Sequence, residues 1–326
     1  MNIKSLSEIT SLIENELDQF NKHFKESLKS KVGIVDLVTR YILKQKGKKI
    51  RPALVLLSSK MCGGIEQRSL RGAALVELLH TATLVHDDVV DNAETRRGLP
   101  SINAIWKNKV GVLMGDYLLA KGLMLAVESE DFDFLKVITN TVKRMSEGEL
   151  LQISKTRKLN NDEETYLRII SDKTASLLAT CCEIGARAST TDEDKIKAMR
   201  EFGENLGIAF QIRDDILDYI GTTSVFGKPL GGDIKEKKLT LPLIYALAQA
   251  HPPESKEILR TIKNGARKKG VEHIIDFVKR NKGIDYADQA AKSYAEKAVS
   301  CLSIFDSSEF KQGLTSLVNF VVVRTK

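Results

Sequence analysis

Two segments of the chain repeat one chemical pattern, Leu84–Val85–His86–Asp87–Asp88–Val89–Val90–Asp91 and Gln211–Ile212–Arg213–Asp214–Asp215–Ile216–Leu217–Asp218. Both spell Asp-Asp-x-x-Asp among apolar residues of helical period. Aspartate is a poor helix-interior residue, and three carboxylates within two turns repel one another unless a cation lies between them. Residues four apart share a helix face, so Asp87 with Asp91, and Asp214 with Asp218, can each aim two carboxylates at one place. Hard oxygen ligands without accompanying His or Cys favour magnesium, which is usually completed by water and substrate phosphate. A diphosphate is the implied partner. One such motif could be a plain acidic stripe, but chance supplies roughly 0.07 matches in a chain of this length, so two are a signal.

Cations accompany both clusters. Arg96 and Arg97 follow the first by a helical turn and a bend, while Lys48 and Arg51 stand three apart ahead of Pro52, a residue suited to a helix's first turn. They are placed to clamp a second diphosphate without metal. His80 lies seven residues before Asp87 on the same face, suited to donating to a phosphate near Arg51. Lys173 and Thr174 add donors, and Gln211 shares a face with Asp214. Residues 221–238 hold Lys228, Lys235, Lys237, Lys238 and four glycines, as expected of a flap closing on an anion.

The elements that must position these groups are helices. Apolar residues recur at three- and four-residue spacing, as in Leu75, Leu78, Leu79 and Ala82, and only six prolines interrupt the 326 residues. No long polar linker divides the chain, which predicts an all-α fold of ten or more helices in a single domain, 1–326. No apolar run is read as a membrane span, and Met1–Thr10 carries serines and a glutamate where a signal peptide would be apolar, so a cytoplasmic location is expected. The net charge of +7 is dispersed over amphipathic segments, which argues against nucleic acid as partner. Four cysteines without CxxC spacing argue against a disulfide scaffold and structural zinc.

In order, GKKIRP, ELLHTATLVHDDVVDNAETRRG, MGDYLLAKG, EGELLQ, SDKTASL, FQIRDDILDY and GKPLGGDIKEKKLTLP resemble the motifs of the trans (all-E) isoprenyl diphosphate synthases. The resemblance implies a helical barrel of isoprenoid synthase type around a central cavity, usually dimeric, with both aspartate motifs at its mouth and three Mg²⁺ per site. It implies that Lys48, Arg51, His80 and Arg97 hold isopentenyl diphosphate. Asp87, Asp91 and Asp214 would bind magnesium, with Asp88, Asp215 and Asp218 nearby, partly through water. Arg96, Lys173, Lys228 and Lys238 would grip the allylic diphosphate, and Thr174 and Gln211 would flank the carbocation. In such enzymes the allylic diphosphate departs, the isopentenyl double bond attacks the cation, and a proton is lost.

Ala82 and Thr83, five and four residues before Asp87, are expected to face the growing chain. Short-chain members of the family place an aromatic there, so the small pair implies a long product. Leu135, Ile138 or Val142 would then provide a deeper wall. HTATLVHDDVVD resembles octaprenyl-class synthases that supply quinone side chains. Three alternatives are weaker. A short-chain synthase would keep the same motifs, a class I terpene cyclase would replace the second with an NSE- or DTE-like one, and a non-catalytic synthase subunit would have no reason to keep six aspartates.

Overall fold

The computed structural model describes residues 5–323 except Lys46, Lys48, Arg97 and residues 221–229. Sixteen α-helices follow one another among the described residues. Four lead to the first aspartate motif: α1 (Leu6–Ser11), α2 (Glu14–Ser27), α3 (Gly33–Lys44) and α4 (Ile50–Cys62). The motif itself closes α5 (Gln67–Val90). A two-residue ladder, β1 (Thr95–Arg96) against antiparallel β2 (Leu99–Pro100), then turns the chain into α6 (Ile102–Glu128) and α7 (Phe132–Lys158). Next come α8 (Glu163–Ile170), a π-helical turn (Ser171–Ala175), α9 (Ser176–Arg187) and α10 (Glu193–Ile220), which carries the second motif. The chain ends with α11 (Gly232–Lys235), α12 (Leu241–Gln249), α13 (Pro252–Lys263), α14 (Lys268–Arg280), α15 (Gly283–Cys301) and α16 (Glu309–Val323).

Caps explain several boundaries. Ser101 accepts from the Ala104 amide to start α6, and Asp162 accepts from Thr165 to start α8, each satisfying an amide that has no partner within its helix. Burial of apolar side chains then assembles the bundle. One cluster gathers around α4, α5, α9 and the first half of α10; the other gathers Ile212, Ile216 and Tyr219 of α10 with α12 and α14. They meet along α10 and α15, where Ala287 and Ala291 serve one cluster and Ala295 and Ala298 the other. The cysteines are free, three of them buried.

Helix α6 departs from the sequence expectation. Its length and composition alone would let it cross a membrane, and one third of its apolar window is buried. Its glycines fit it to α5 instead. A Cβ on Gly122 would lie 3.3 Å from Leu78, and one on Gly111 would lie 2.6 Å from Val89. Asp116 and Lys121 interrupt the run, which is why it does not stand out as an unbroken apolar stretch. On its other side, beyond the break at Lys107, Val112, Leu113, Met124 and Val127 are exposed.

Candidate active site

The first motif divides its carboxylates between two sides of α5. Asp88 is 3% exposed and accepts from Nε (2.8 Å) and Nη2 (2.5 Å) of Arg96, which the β1–β2 ladder carries back onto the helix. Asp87 remains accessible, and Asp91 caps the helix end, its amide bonded to the Asp87 carbonyl. Desolvation raises the Asp87 carboxyl above the usual range, Glu149 and Asp91 add to the rise, and Lys173 and Arg96 oppose it. Glu149 of α7 and Lys173 of the π-turn therefore stand within electrostatic reach of the first motif. The same Lys173 Nζ lies 2.5 Å from Glu149 Oε2.

The second motif divides likewise. Asp214 is exposed, whereas Asp215 is buried and accepts from Tyr166 Oη at 2.6 Å and Gln211 Nε2 at 2.8 Å. With its amide nitrogen so engaged, Gln211 turns its oxygen to accept from Thr174 Oγ1 at 3.0 Å. Asp218 does not pair with Asp214 as the i, i+4 spacing suggests. Both its oxygens accept backbone amides, from Gly232 and Asp233 at 3.0 Å each, because the α11 turn needs partners for its first N–H groups. Burial raises the Asp215 and Asp233 carboxyls strongly, and neighbouring carboxylates add to both shifts. Lys238 opposes the rise at Asp233; its own pKa is raised against its burial chiefly by Glu236, whose Oε2 lies 2.5 Å from Nζ, with Asp233 and Glu149 adding smaller pulls.

Asp87, Glu149, Lys173, Lys238, Asp233 and Asp214 thus form one electrostatic neighbourhood joining the two motifs. A cavity of about 110 Å³ opens beside the second motif, lined among others by Lys173, Thr174, Gln211, Asp215, Asp233 and Lys238, with no residue of the first motif in its wall. A second cavity, of about 350 Å³, lies on the Asp88 side of α5 against α2 and α3. Gly47, Lys49 and Arg96, the chain neighbours of Lys48 and Arg97, border it. Arg51 and His80 are not among its lining residues; His80 is 7% exposed within α5. Lys48, Arg97 and Lys228, expected to bind substrate, lie outside the described residues.

Ala82 and Thr83 face different ways. Ala82 is buried on the stripe with Leu75, Leu78, His86 and Val89 that meets α6, whereas Thr83 sits one turn before Asp87 on that residue's own stripe. The Thr83 hydroxyl donates back to the His80 carbonyl at 2.9 Å. Ile138 is fully buried, while Leu135 and Val142 are partly so.

Sequence reasoning did not single out Tyr166, Asp233 or Glu149. Glu149 had a signal, since in EGELLQ it stands three residues before Gln152, which also approaches Lys173 at 3.5 Å. Asp233 likewise lies in the quoted GKPLGGDIKEKKLTLP, whereas Tyr166 had no signal, because its role arises from helices that meet only in the fold. Among the described residues, no group of three or more His, Cys, Asp or Glu could hold a metal ion unaided. The crowded carboxylates, with Asp87, Asp215 and Asp233 all raised, nevertheless suit a divalent cation shared between the motifs and completed by phosphate oxygens.

A family model described as polyprenyl synthetase matches residues 33–278. The chain is 33% identical to the octaprenyl diphosphate synthase of Haemophilus influenzae, over 99% of this chain and 98% of that one. It is also 33% identical to the geranylgeranyl diphosphate synthase of Saccharolobus solfataricus, over 98% of this chain and 99% of the other. The solved polyprenyl synthase of Caulobacter crescentus, complexed with calcium and isoprenyl diphosphate, superimposes with a TM-score of 0.91 at 33% identity, covering 100% of both chains.

Proposed function

The chain belongs to the polyprenyl synthetase family and is a prenyltransferase; we propose that it condenses isopentenyl diphosphate with an allylic diphosphate to make a long-chain polyprenyl diphosphate, as used for quinone side chains. The observation that carries this reading is the single electrostatic neighbourhood joining Asp87 and Asp214 through Lys173, Glu149 and Lys238.

Asp87, Asp91 and Asp214 would hold magnesium, three ions per site, with Asp88, Asp215 and Asp218 fixed around them by Arg96, Tyr166 and the α11 amides. Bound magnesium neutralises charge on the departing diphosphate. The calcium and diphosphate of the Caulobacter relative support that ligand pair. Lys173 and Lys238 attract the allylic diphosphate and stabilise the charge it gains on leaving. The Gln211 amide, oriented by Asp215, presents its oxygen beside Thr174, where two oxygen dipoles can favour positive charge on the allyl carbons. The cavity beside Asp88 and Arg96, bordered by the chain neighbours of Lys48 and Arg97, suits isopentenyl diphosphate with those two residues as donors, while Arg51 and His80 stand outside its lining. No side-chain nucleophile is needed.

Thr83, small and one turn before Asp87, supports a long product, as does the octaprenyl relative. A geranylgeranyl product is the second reading, favoured by the Saccharolobus relative at equal identity. We read residues 1–326 as one domain, working in the cytoplasm as a homodimer. The exposed row Val112, Leu113, Met124 and Val127 on α6 supports a second copy as the cover. Incubating the purified chain with magnesium, labelled isopentenyl diphosphate and farnesyl diphosphate, then sizing the dephosphorylated products, tests reaction and length together. Absence of prenyl product overturns the reaction; products of four isoprene units or fewer overturn the long chain.

A further inference from the structure

Between α8 and α9 the backbone takes a π-turn, with the Ser176 N–H bonded to the Ser171 carbonyl five residues back. Such turns are rare and poorly bonded, and they persist where surrounding structure holds them. Here two helices grip the turn from opposite sides. On α7, Gly148 lets it approach so closely that a Cβ there would lie 3.0 Å from both Asp172 Cβ and the Lys173 amide. On α10, a Cβ on Gly207 would lie 2.5 Å from Ala175 Cα.

One turn from each glycine stands a charged group. Arg144 donates through Nε to Asp172 at 2.8 Å, and through Nη2 to Ser171 Oγ at 2.9 Å and to Glu204 at 2.8 Å. Ser171 Oγ donates to the same Glu204 oxygen at 2.7 Å. Arg168 adds a longer contact, 3.7 Å, to Asp172. Arg144, Ser171, Asp172 and Glu204 do not line the cavity beside the second aspartate motif, whereas Lys173 and Thr174, the next two residues, do.

We propose that Arg144 is a positioning residue, which with Glu204 holds the Ser171–Asp172 half of the π-turn so that Lys173 and Thr174 face the departing diphosphate. Relaxing the turn to regular α-helix would remove one residue from the register and swing Lys173 and Thr174 by about 100° about the helix axis. A forked guanidinium suits the task, because it bonds three acceptors in fixed geometry where an ammonium cannot. The inference rests on the synthase reading proposed above.

The test uses the full chain with saturating magnesium, farnesyl diphosphate and isopentenyl diphosphate. Arg144→Met is expected to keep its fold, to lower kcat about 30-fold, and to raise KM for farnesyl diphosphate more than for isopentenyl diphosphate. Arg144→Lys should recover only part of the loss, and Ser171→Ala should lower kcat about 3-fold. In a Lys173→Ala/Thr174→Ala background, Arg144→Met should cost less than about 3-fold more, because the groups it positions are gone. A full, additive loss in that background makes Arg144 merely structural and overturns the inference. So does near-unaltered kcat in folded Arg144→Met, or in Ser171→Ala should Arg144→Met not fold. Inactivity of the unmutated chain would instead sink the synthase reading, and this inference with it.

Discussion

Tyr166 donates a hydrogen bond from its phenolic hydroxyl to the buried Asp215 carboxyl at 2.6 Å, and that carboxyl in turn fixes the amide of Gln211 against Thr174. The middle aspartate of the second motif is thus more a support than an open ligand. Tyr166→Phe removes one donor from a buried acid, a loss of roughly 1–3 kcal/mol. It should also lower kcat about 10-fold by loosening Gln211. Calorimetry and steady-state rates check both parts, and a folded variant with unaltered rate would show that Gln211 needs no such support.

The accessible aspartates should behave otherwise. Asp87→Ala and Asp214→Ala are each expected to lower kcat by about 10³ or more with little loss of stability, since each removes ligand charge from the cation that the leaving diphosphate needs. Asp88→Asn, which strips Arg96 of its partner, should lower stability by roughly 1–3 kcal/mol and shift the magnesium dependence less. Magnesium titrations of the three variants, with melting curves, separate ligand from support. Near-normal turnover of Asp87→Ala or Asp214→Ala at low magnesium would overturn the ligand assignment.

Glu204 gives a pH test. Burial would raise its carboxyl, but Arg144 and Ser171 outweigh burial and hold it below its ordinary 4.5. A depressed folded-state value means that the stabilisation is complete above the unfolded-state value and is lost as pH falls through the lower folded one. The melting temperature of the chain should therefore exceed that of Glu204→Gln by a constant margin at neutral pH. The margin should shrink below pH about 4.5 as both states bind the proton. A margin independent of pH would mean that the charge of Glu204 contributes nothing.

The aspartate pairs were legible because helical period is written into local sequence: DDxxD within an apolar run fixes both element and face. Contacts made at a distance were not. SDKTA carries no local mark of a π-turn, and the groups that pack against and bond it there, Gly148, Gly207, Arg144 and Glu204, come from two other helices. Asp218 looks like the partner of Asp214 until α11 arrives to claim both its oxygens. The pairing of Arg96 with Asp88 likewise depends on a ladder of two residues per strand, too short for any alternation to announce.

Product length offers the sharpest use of the two stripes on α5. A prenyl chain growing from the Asp87 site gains stability with each apolar unit it buries until it meets a wall, so the first residue it passes has most control. Spacing from Asp87 alone cannot choose between Ala82 and Thr83, but neighbouring residues on a helix point about 100° apart. Thr83 shares the Asp87 stripe, while Ala82 is buried against α6, near the seam where Gly122 admits Leu78. Thr83→Phe should therefore leave condensation intact and shorten the product to farnesyl or geranylgeranyl length. Ala82→Phe should act mainly by forcing α5 and α6 apart, at a cost of about 1–3 kcal/mol from overpacking, with less control over length. Chromatographic sizing of the dephosphorylated products, beside melting curves of both variants, decides between them. If Ala82→Phe gave the shorter products at unaltered stability, the chain would descend along the α6 seam, and Thr83 would lose the role of first gate.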